Sequence, residues 1–222
     1  YFSFGTTVHL ALQRFFEEAK KRQGTNQGDL FSKKTNDNLN KKPRELVSQA
    51  ELIKIYENSW IDDWYQNKKQ KEDYFKNGKD ILKKFHVSPN YPDTMPNYLE
   101  KGFSIKVGNY SLGGKIDRID DLGDSFRIID YKTGKPKIKL DAQDKEQLLI
   151  YQMALESWQD MKIEELVYYY LEDDSLMSFK GTDAQKKKLT DKIVKTIDEI
   201  KDFDFEKYIK NHEKCRSCSD IL

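Results

Sequence analysis

The sequence contains little that would place this chain in a membrane or outside the cell. No apolar run approaches the roughly 18 residues needed to cross a bilayer, and no N-terminal segment has a secretory signal pattern. Only two cysteines occur among 222 residues, together with a lone glycosylation-type triplet, Asn109-Tyr110-Ser111. Because disulfides are rare in reducing compartments, this composition favours a cytoplasmic protein.

A strong net charge is also absent. Lys+Arg total 39 and Asp+Glu total 38, so the formal net charge is +1 although charged residues make up 35% of the chain. A surface that binds nucleic acid would therefore have to be local. Lys135, Lys137 and Lys139 offer such local charge, although for the last two a solvated lysine run is an equally good interpretation. The G-x-x-x-x-G-K-[ST] pattern of a phosphate loop is missing, which excludes an ATPase site of that kind.

The length suits one large domain with a substantial core, and no change in composition divides it. The chain begins at Tyr1 in apolar sequence, and we expect it to be a fragment of a longer polypeptide. The expected parts are a histidine-bearing helix, a loop with a helical roof, a sheet with its associated helix, and C-terminal helices. These parts are residues 1–22, 23–97, 98–180 and 181–222.

Two neighbouring segments have the pattern of a buried β-hairpin. Residues 112–120 and 125–132 flank a four-residue loop in which Gly123 can supply a positive φ. Apolar residues in both segments indicate strands that are largely buried. These residues are Ile116, Ile119, Phe126, Ile128 and Ile129.

Charged side chains interrupt this hairpin. If Asp120 pairs with Ser125, then Asp117 lies diagonally within roughly 7–8 Å of Asp130, and Lys132 projects from the same face as Asp130. A buried carboxylate is costly unless it is paired or binds a metal. The spacing therefore predicts a divalent cation between the two aspartates. The alternative is an Asp130–Lys132 ion pair on an exposed face.

A first helix is predicted from Thr6 or Thr7, either of which can cap it, to about Lys21. His9 adjoins the apolar stripe of this helix. A histidine in such a place is more often a packed core residue than a ligand. The acidic residues downstream are what favour the ligand interpretation.

The order of these motifs resembles that of the RecB-type nucleases of the PD-(D/E)XK superfamily. His9 is followed by G-x-I-D-R-I-D, by I-I-D-Y-K-T-G and by Gln147-x-x-x-Tyr151, so the resemblance runs from Gly5 to about Leu171. It implies an α/β fold with a restriction-endonuclease-like core. In that core a mixed central β-sheet is flanked by helices, and a helical insertion subdomain is added.

The resemblance also implies metal-dependent hydrolysis of DNA, with Mg²⁺ or Mn²⁺ as cofactor. The metal ligands would be His9, Asp117, Asp130 and the backbone carbonyl of Tyr131. The catalytic residues would be Asp117, Asp130, Lys132, Gln147 and Tyr151. Lys132 would assist the attacking water, and the last two residues, one helical turn apart, would both point into the cleft.

The remaining segments supply the framework. Residues 23–43 predict a mobile loop or insertion, and the apolar spacing after Pro43 predicts a helix that includes Trp60 and Trp64. We interpret this tryptophan pair as core packing in preference to a platform for nucleobases. Glu100, near the start of a strand over 99–107, is a secondary candidate that would reach the metal through water or structure the sheet edge. Further helices are predicted over 72–85, 141–158 and 183–201, and further strands over 165–171 and 175–179.

Cys215 and Cys218 form a C-x-x-C pair, which supplies two of the four usual ligands of a zinc or iron–sulfur site. The resemblance implies a 4Fe-4S cluster only in a longer chain, with partners before Tyr1 and after Leu222. Within this sequence two free thiols are favoured.

As partners, the resemblance implies DNA, either single-stranded or with duplex ends, and a fused or associated helicase of the UvrD/RecB kind acting in repair or recombination. The alternatives are a stand-alone nuclease of the CRISPR-adaptation type and a non-catalytic DNA-binding or scaffold domain with the same fold.

Overall fold

The computed structural model describes residues 2–24, 40–159 and 161–204. Within these ranges the helices are α1 (Phe2–Gly24), α2 (Pro43–Leu46), α3 (Gln49–Asn58), α4 (Lys68–Val87), α5 (Ala142–Gln159) and α6 (Asp183–Asp202). The strands are β1 (Tyr98–Val107), β2 (Tyr110–Asp121), β3 (Phe126–Lys132), β4 (Ile163–Tyr170) and β5 (Ser175–Phe179). A search of the described helices finds none with the length and apolar character of a membrane span.

The five strands form one mixed sheet in the order β1-β2-β3-β4-β5. Neighbours are antiparallel except for β3 and β4, which are parallel and joined through α5. A parallel pair needs a crossover of a dozen or more residues, and α5 provides it. The predicted α/β fold with a mixed sheet between helices is confirmed.

Helices cover both faces of this sheet. Helices α1 to α4 bury their apolar faces against Ile129 and Tyr131 of β3 and Val167 and Tyr169 of β4. On the opposite face α5 packs on the alternate residues of the same strands, and α6 packs outside it through Leu189. α5 and the helical roof therefore lie on opposite faces of the sheet. The roof helices pack with α1 on the other face.

Local sequence explains where the helices begin. Ser48 accepts the backbone N–H of Glu51 while the Glu51 carboxylate accepts the N–H of Ser48, which is the reciprocal capping box at the start of α3. Asn67 caps α4 by accepting the N–H of Gln70 at 2.9 Å. α1 begins at Phe2, earlier than the predicted Thr6 or Thr7.

The predicted hairpin forms, with a different register. Gly123 has the expected positive φ, 96°, but Asp120 pairs with Arg127 and not with Ser125. A shift of two residues does not by itself move any side chain to the other face. If the pairing is extended past its last step, Asp117 falls directly opposite Asp130 and not diagonal to it.

The predicted helix through Trp60 and Trp64 is wrong. α3 ends at Asn58, and the Trp60 ring packs edge-on against Tyr56 and Phe75 at centroid distances of 5.8 Å and 4.9 Å. Trp64 lies in the irregular segment that follows, 88% exposed and with a φ of 68°. One tryptophan of the pair therefore packs in the core and the other faces solvent.

Candidate active site

Strand β2 changes the direction of its side chains at the candidate site. Ile116 and Ile119 both lie in the apolar cluster beneath α5, although strict alternation would place residues three apart on opposite faces. The change falls between them, at Asp117 and Arg118. Asp117 is thereby free to contact α1, which covers the other face of the sheet.

Asp117 is held where the pairing of β2 with β3 ends. Its Oδ2 accepts the backbone N–H of Tyr131 at 2.9 Å, which replaces the next main-chain bond of the ladder. The same oxygen lies 3.3 Å from Nδ1 of His9 on α1. The carboxylate is therefore fixed between a strand and a helix.

Glu100 of β1 completes a compact group with these two side chains. Its φ of 45° lies in the left-handed region that few residues other than glycine adopt, and the β1–β2 ladder skips both Glu100 and the facing Asp117. One potential ligand atom from each of His9, Glu100 and Asp117 lies within 4.8 Å of the other two. Glu100, which the sequence suggested only as a secondary candidate, is thus as well placed to bind a metal as His9 and Asp117.

Asp130 and Lys132 project from the neighbouring strand. Asp130 is only 2% exposed, and its Oδ2 lies 2.7 Å from Nζ of Lys132. The contact is a close ion pair with poor hydrogen-bond alignment, so among the described residues this buried oxygen has no well-aligned donor. The exposed ion pair that was the alternative interpretation does not form, because the carboxylate is buried.

A chain of hydrogen bonds leads from Lys132 to α5. The ammonium donates to Oε1 of Gln147 at 2.7 Å, and the amide of Gln147 donates to the hydroxyl of Tyr151 at 2.7 Å. Because an ammonium can only donate, it fixes the amide with its oxygen towards Lys132 and its NH₂ towards Tyr151. The Tyr168 ring on β4, which the sequence did not single out, lies 4.9 Å from Nζ. Its position in an apolar run gave no signal of a cationic neighbour.

The carboxylates of the candidate site carry more negative charge than the neighbouring His9 and Lys132 can offset. Burial lowers the pKa of His9, but the hydrogen bond and charge of Asp117, with smaller effects of Asp130 and Glu100, raise it above its usual value. Burial and then the charge of Asp117 raise the pKa of Glu100. Burial, followed by the charge of Asp117, also raises the pKa of Asp130 against the effect of Lys132. Such mutual destabilisation of buried carboxylates is relieved when a cation binds between them.

The donor set fits a hard divalent cation. Two or three carboxylates with one imidazole suit Mg²⁺ or Mn²⁺, whereas a zinc site usually has more nitrogen or sulfur donors. Oδ2 of buried Asp130, which faces the Lys132 ammonium, is a further donor beside the group. Tyr131 directly follows Asp130 in the chain, and its N–H is fixed by Asp117.

The family of the chain follows from a match over almost its whole length. The family model described as "PD-(D/E)XK nuclease superfamily" matches residues 1–219. The chain belongs to the PD-(D/E)XK nuclease superfamily. A D-x-K sequence, Asp130-Tyr131-Lys132, lies on β3.

Comparison with individual proteins adds less. A solved structure named "Putative exonuclease", from Eubacterium rectale, is similar to this nuclease-superfamily chain at 11% sequence identity and a TM-score of 0.46. The similarity covers 68% of this chain and 72% of that one. No curated protein matches the sequence.

The sequence also suggested a role for a lysine run after β3 and for a C-x-x-C pair. Within the lysine run, Lys137 forms a surface ion pair with Asp144 at the start of α5. All three lysines, Lys135, Lys137 and Lys139, are exposed. Cys215 and Cys218 lie outside the described residues.

Proposed function

We propose that this chain is a divalent-metal-dependent deoxyribonuclease domain that hydrolyses phosphodiester bonds in DNA. The observation that carries the proposal is the meeting of His9, Glu100 and Asp117 within 4.8 Å, beside the Asp130–Lys132 pair. Acidic donors, an imidazole and a lysine at one end of a mixed sheet provide both a cation site and a positive charge for a phosphate. In a member of a nuclease superfamily, hydrolysis of a phosphodiester is the chemistry that uses both.

Mg²⁺ or Mn²⁺ would be held by His9, Asp117 and Asp130, with Glu100 and the carbonyl of Tyr131 as further donors. When bound, the cation supplies positive charge that makes an attacking water more acidic and neutralises charge on the phosphoryl oxygens. His9 keeps one ring nitrogen on Asp117, which orients the imidazole for its other nitrogen to act as a ligand.

Lys132 would place its ammonium beside the scissile phosphate. Three neighbours hold it: Asp130 at 2.7 Å, Gln147 at 2.7 Å and the Tyr168 ring at 4.9 Å. A side chain restrained on three sides loses little further freedom when substrate binds, so its charge is preorganised for the transition state. Gln147 and Tyr151 therefore act in this proposal by positioning the lysine.

The wider setting is part of the same proposal. We place the domain in the cytoplasm, in a longer protein fused to or associated with a helicase, where it trims single-stranded DNA or duplex ends during repair or recombination. The motif resemblance supports this setting. Purification of the full-length native protein followed by an ATP-dependent unwinding assay tests it, and an absence of unwinding in the isolated complex would contradict it.

Cleavage is tested with end-labelled single- and double-stranded DNA in Mg²⁺, Mn²⁺ or EDTA. We expect cleavage with either metal, none in EDTA, and a loss of about 10²–10⁴-fold in Asp117→Ala and Lys132→Ala. Matched controls are Asp124→Ala in the β2–β3 loop and Lys106→Ala on β1, both exposed, which should cut like the wild type. Equal cleavage by the wild type and both site variants would refute the assignment. DNA binding without cleavage would favour the scaffold alternative.

A further inference from the structure

Trp64 combines two features that oppose stability. Its side chain is 88% exposed, although a tryptophan offers one of the largest apolar surfaces that folding can bury. Its φ of 68° is in the left-handed region, which is unfavourable for a residue with a bulky side chain. Residues held in such conformations concentrate at binding sites, where the surrounding structure keeps them in place.

The segment that carries Trp64 is well anchored on both sides. The rings of Trp60 and Tyr65 stack at a centroid distance of 5.3 Å and an interplanar angle of 11°. Asp62 pairs with Lys71 of α4 at 2.5 Å. Trp64 is thus an exposed ring on a segment fixed by its neighbours.

This segment lies against the helix that carries His9. The N–H of Ile61 donates to Oγ1 of Thr7 at 3.2 Å, and Thr7 is two residues before His9. At about 3.6 residues per turn those two positions are about 200° apart, so the segment and the metal site flank opposite sides of α1.

Two lysines follow Trp64 at the start of the next helix. Lys68 and Lys69 are exposed in the first turn of α4, which contains no acidic residue, and Lys68 also reaches Glu72 at 3.8 Å. Of the two acidic residues directly before Trp64, Asp62 is paired within the protein and Asp63 is exposed. The N–H groups of the first turn add to the charge of the lysines. An exposed aromatic ring beside cationic groups is the combination with which proteins hold unpaired nucleic acid strands, because the ring takes a base and the cations take the phosphates.

We propose that Trp64 stacks on an unpaired base of the substrate strand, on the far side of α1 from the scissile phosphate, while Lys68 and Lys69 contact the adjoining backbone. The proposal deepens the proposed nuclease function and rests on it for the position of the scissile bond. A stacking ring needs a base that is free of its duplex neighbours. The site therefore selects single-stranded or frayed DNA over a closed duplex.

Binding is tested without cleavage, by fluorescence anisotropy of a fluorescein-labelled oligothymidylate of 15 nucleotides in EDTA. Stacking contributes about 1–3 kcal/mol per base, so Trp64→Ala should weaken binding by about 5- to 150-fold. Trp64→Phe should keep most of the affinity, because a phenyl ring also stacks. Trp158→Ala changes a partly exposed tryptophan at the end of α5, and it should bind like the wild type. Unchanged affinity in Trp64→Ala would overturn the proposal.

A second experiment locates the contact. Abasic sites are placed one at a time along the oligonucleotide, and the loss in binding is compared between the wild type and Trp64→Ala. The abasic site beneath Trp64 should weaken binding to the wild type and leave binding to the variant unchanged, because the contact is already missing. A penalty that is the same in both proteins at every position would overturn the stacking. So would an equal effect of Trp64→Ala on a duplex closed by hairpins at both ends.

These measurements separate the stacking from the nuclease proposal. A protein that fails to cut DNA in Mg²⁺ or Mn²⁺, yet loses single-strand affinity in Trp64→Ala, supports the stacking and contradicts the nuclease function. A protein that cuts DNA while Trp64→Ala binds as the wild type does contradicts the stacking alone.

Discussion

Arg118 and Asp120, two residues apart on β2, form an ion pair from which solvent is excluded. Both side chains are 0% exposed, and Nε of the arginine lies 2.6 Å from Oδ1 of the aspartate. Arg118 also donates to the carbonyl of Thr94 at 2.7 Å and lies 4.4 Å from the centroid of the Phe16 ring. The pair therefore joins β2 to α1 and to the segment before β1, directly beside Asp117.

Removal of one partner of this pair should be far more harmful than removal of both. Asp120→Ala leaves a buried guanidinium without its counter-charge, and we expect the free energy of unfolding to fall by about 3–5 kcal/mol. The double variant Arg118→Met with Asp120→Leu leaves no buried charge and should lose less. Urea denaturation followed by circular dichroism measures both. A double variant less stable than the single one would contradict this account.

Gln147 should affect turnover and not folding. Gln147→Leu removes the acceptor that holds the Lys132 ammonium, and we expect kcat to fall by about 10- to 100-fold, as is usual for residues that orient an active group. KM and the melting temperature should change little, since Gln147 is exposed. Gln143→Leu, one turn earlier on α5, is the control. Identical kinetics in both variants would show that the hydrogen bond has no role in positioning.

A divalent cation should stabilise the fold through the acidic group. Binding at 100 times the dissociation constant contributes about 2.7 kcal/mol, which corresponds to a rise of about 5–10 °C in melting temperature for a domain of this size. Differential scanning fluorimetry with Mn²⁺ should show this rise in the wild type and in Asp124→Asn. Asp117→Asn should show little or none. A full rise in Asp117→Asn would place the cation elsewhere.

The carboxyl of Glu51, which is remote from the candidate site, should make the stability of the fold depend on pH. The hydrogen bond from Arg22, followed by the bonds from Ser48, lowers the pKa of its carboxyl from 4.5 to about 2. Because the folded protein releases this proton more readily than the unfolded chain, the stabilisation is complete above pH 4.5 and disappears as the pH falls towards 2. The side chain is partly exposed, so we expect about 1 kcal/mol. Urea denaturation at pH 7 and pH 3 should show that Glu51→Gln destabilises the protein at pH 7 and much less at pH 3; an equal loss at both would contradict the assignment.

At position 64, glycine should stabilise the fold at least as well as alanine, which is the reverse of the usual order. At a positive φ a β-carbon is strained by about 1–2 kcal/mol, whereas glycine adopts this conformation freely. Trp64→Gly should therefore be at least as stable as Trp64→Ala, in spite of its more flexible unfolded chain. Chemical denaturation of the two variants tests this. A clear advantage for alanine would mean that the positive φ at position 64 is not maintained in solution.

Much of the sheet could be predicted, because alternation marks the strands and buried charges mark the site. Asp130 and Lys132 lie on one face of β3 as the alternation predicts, but the change of direction in β2 turns Asp117 towards α1, and the hairpin register differs by two residues. Since a shift of two preserves every face, the hydrophobic pattern cannot distinguish the two registers. Only the conformation of the turn around Gly123 decides between them.

Features that depend on tertiary contacts were not predictable. The spacing of Trp60 and Trp64 is that of a helical face, but the packing of Trp60 against Phe75 and Tyr65 ends the helix earlier. The left-handed conformation of Glu100 arises where β1 meets the change of direction in β2, and no residue type announces it. The sequence therefore made Glu100 only a secondary candidate, although its carboxylate lies beside Asp117 and His9.

The pairing of β3 with β4 has a consequence for the order in which the site is assembled. The β2–β3 hairpin is local, whereas β3 and β4 are separated in the chain by the whole of α5. Pairings between distant segments are slow, because a long loop must close before its contacts are made. We therefore expect the Tyr168 ring of β4, which lies 4.9 Å from Nζ of Lys132, to reach the lysine only after the β2–β3 hairpin has closed.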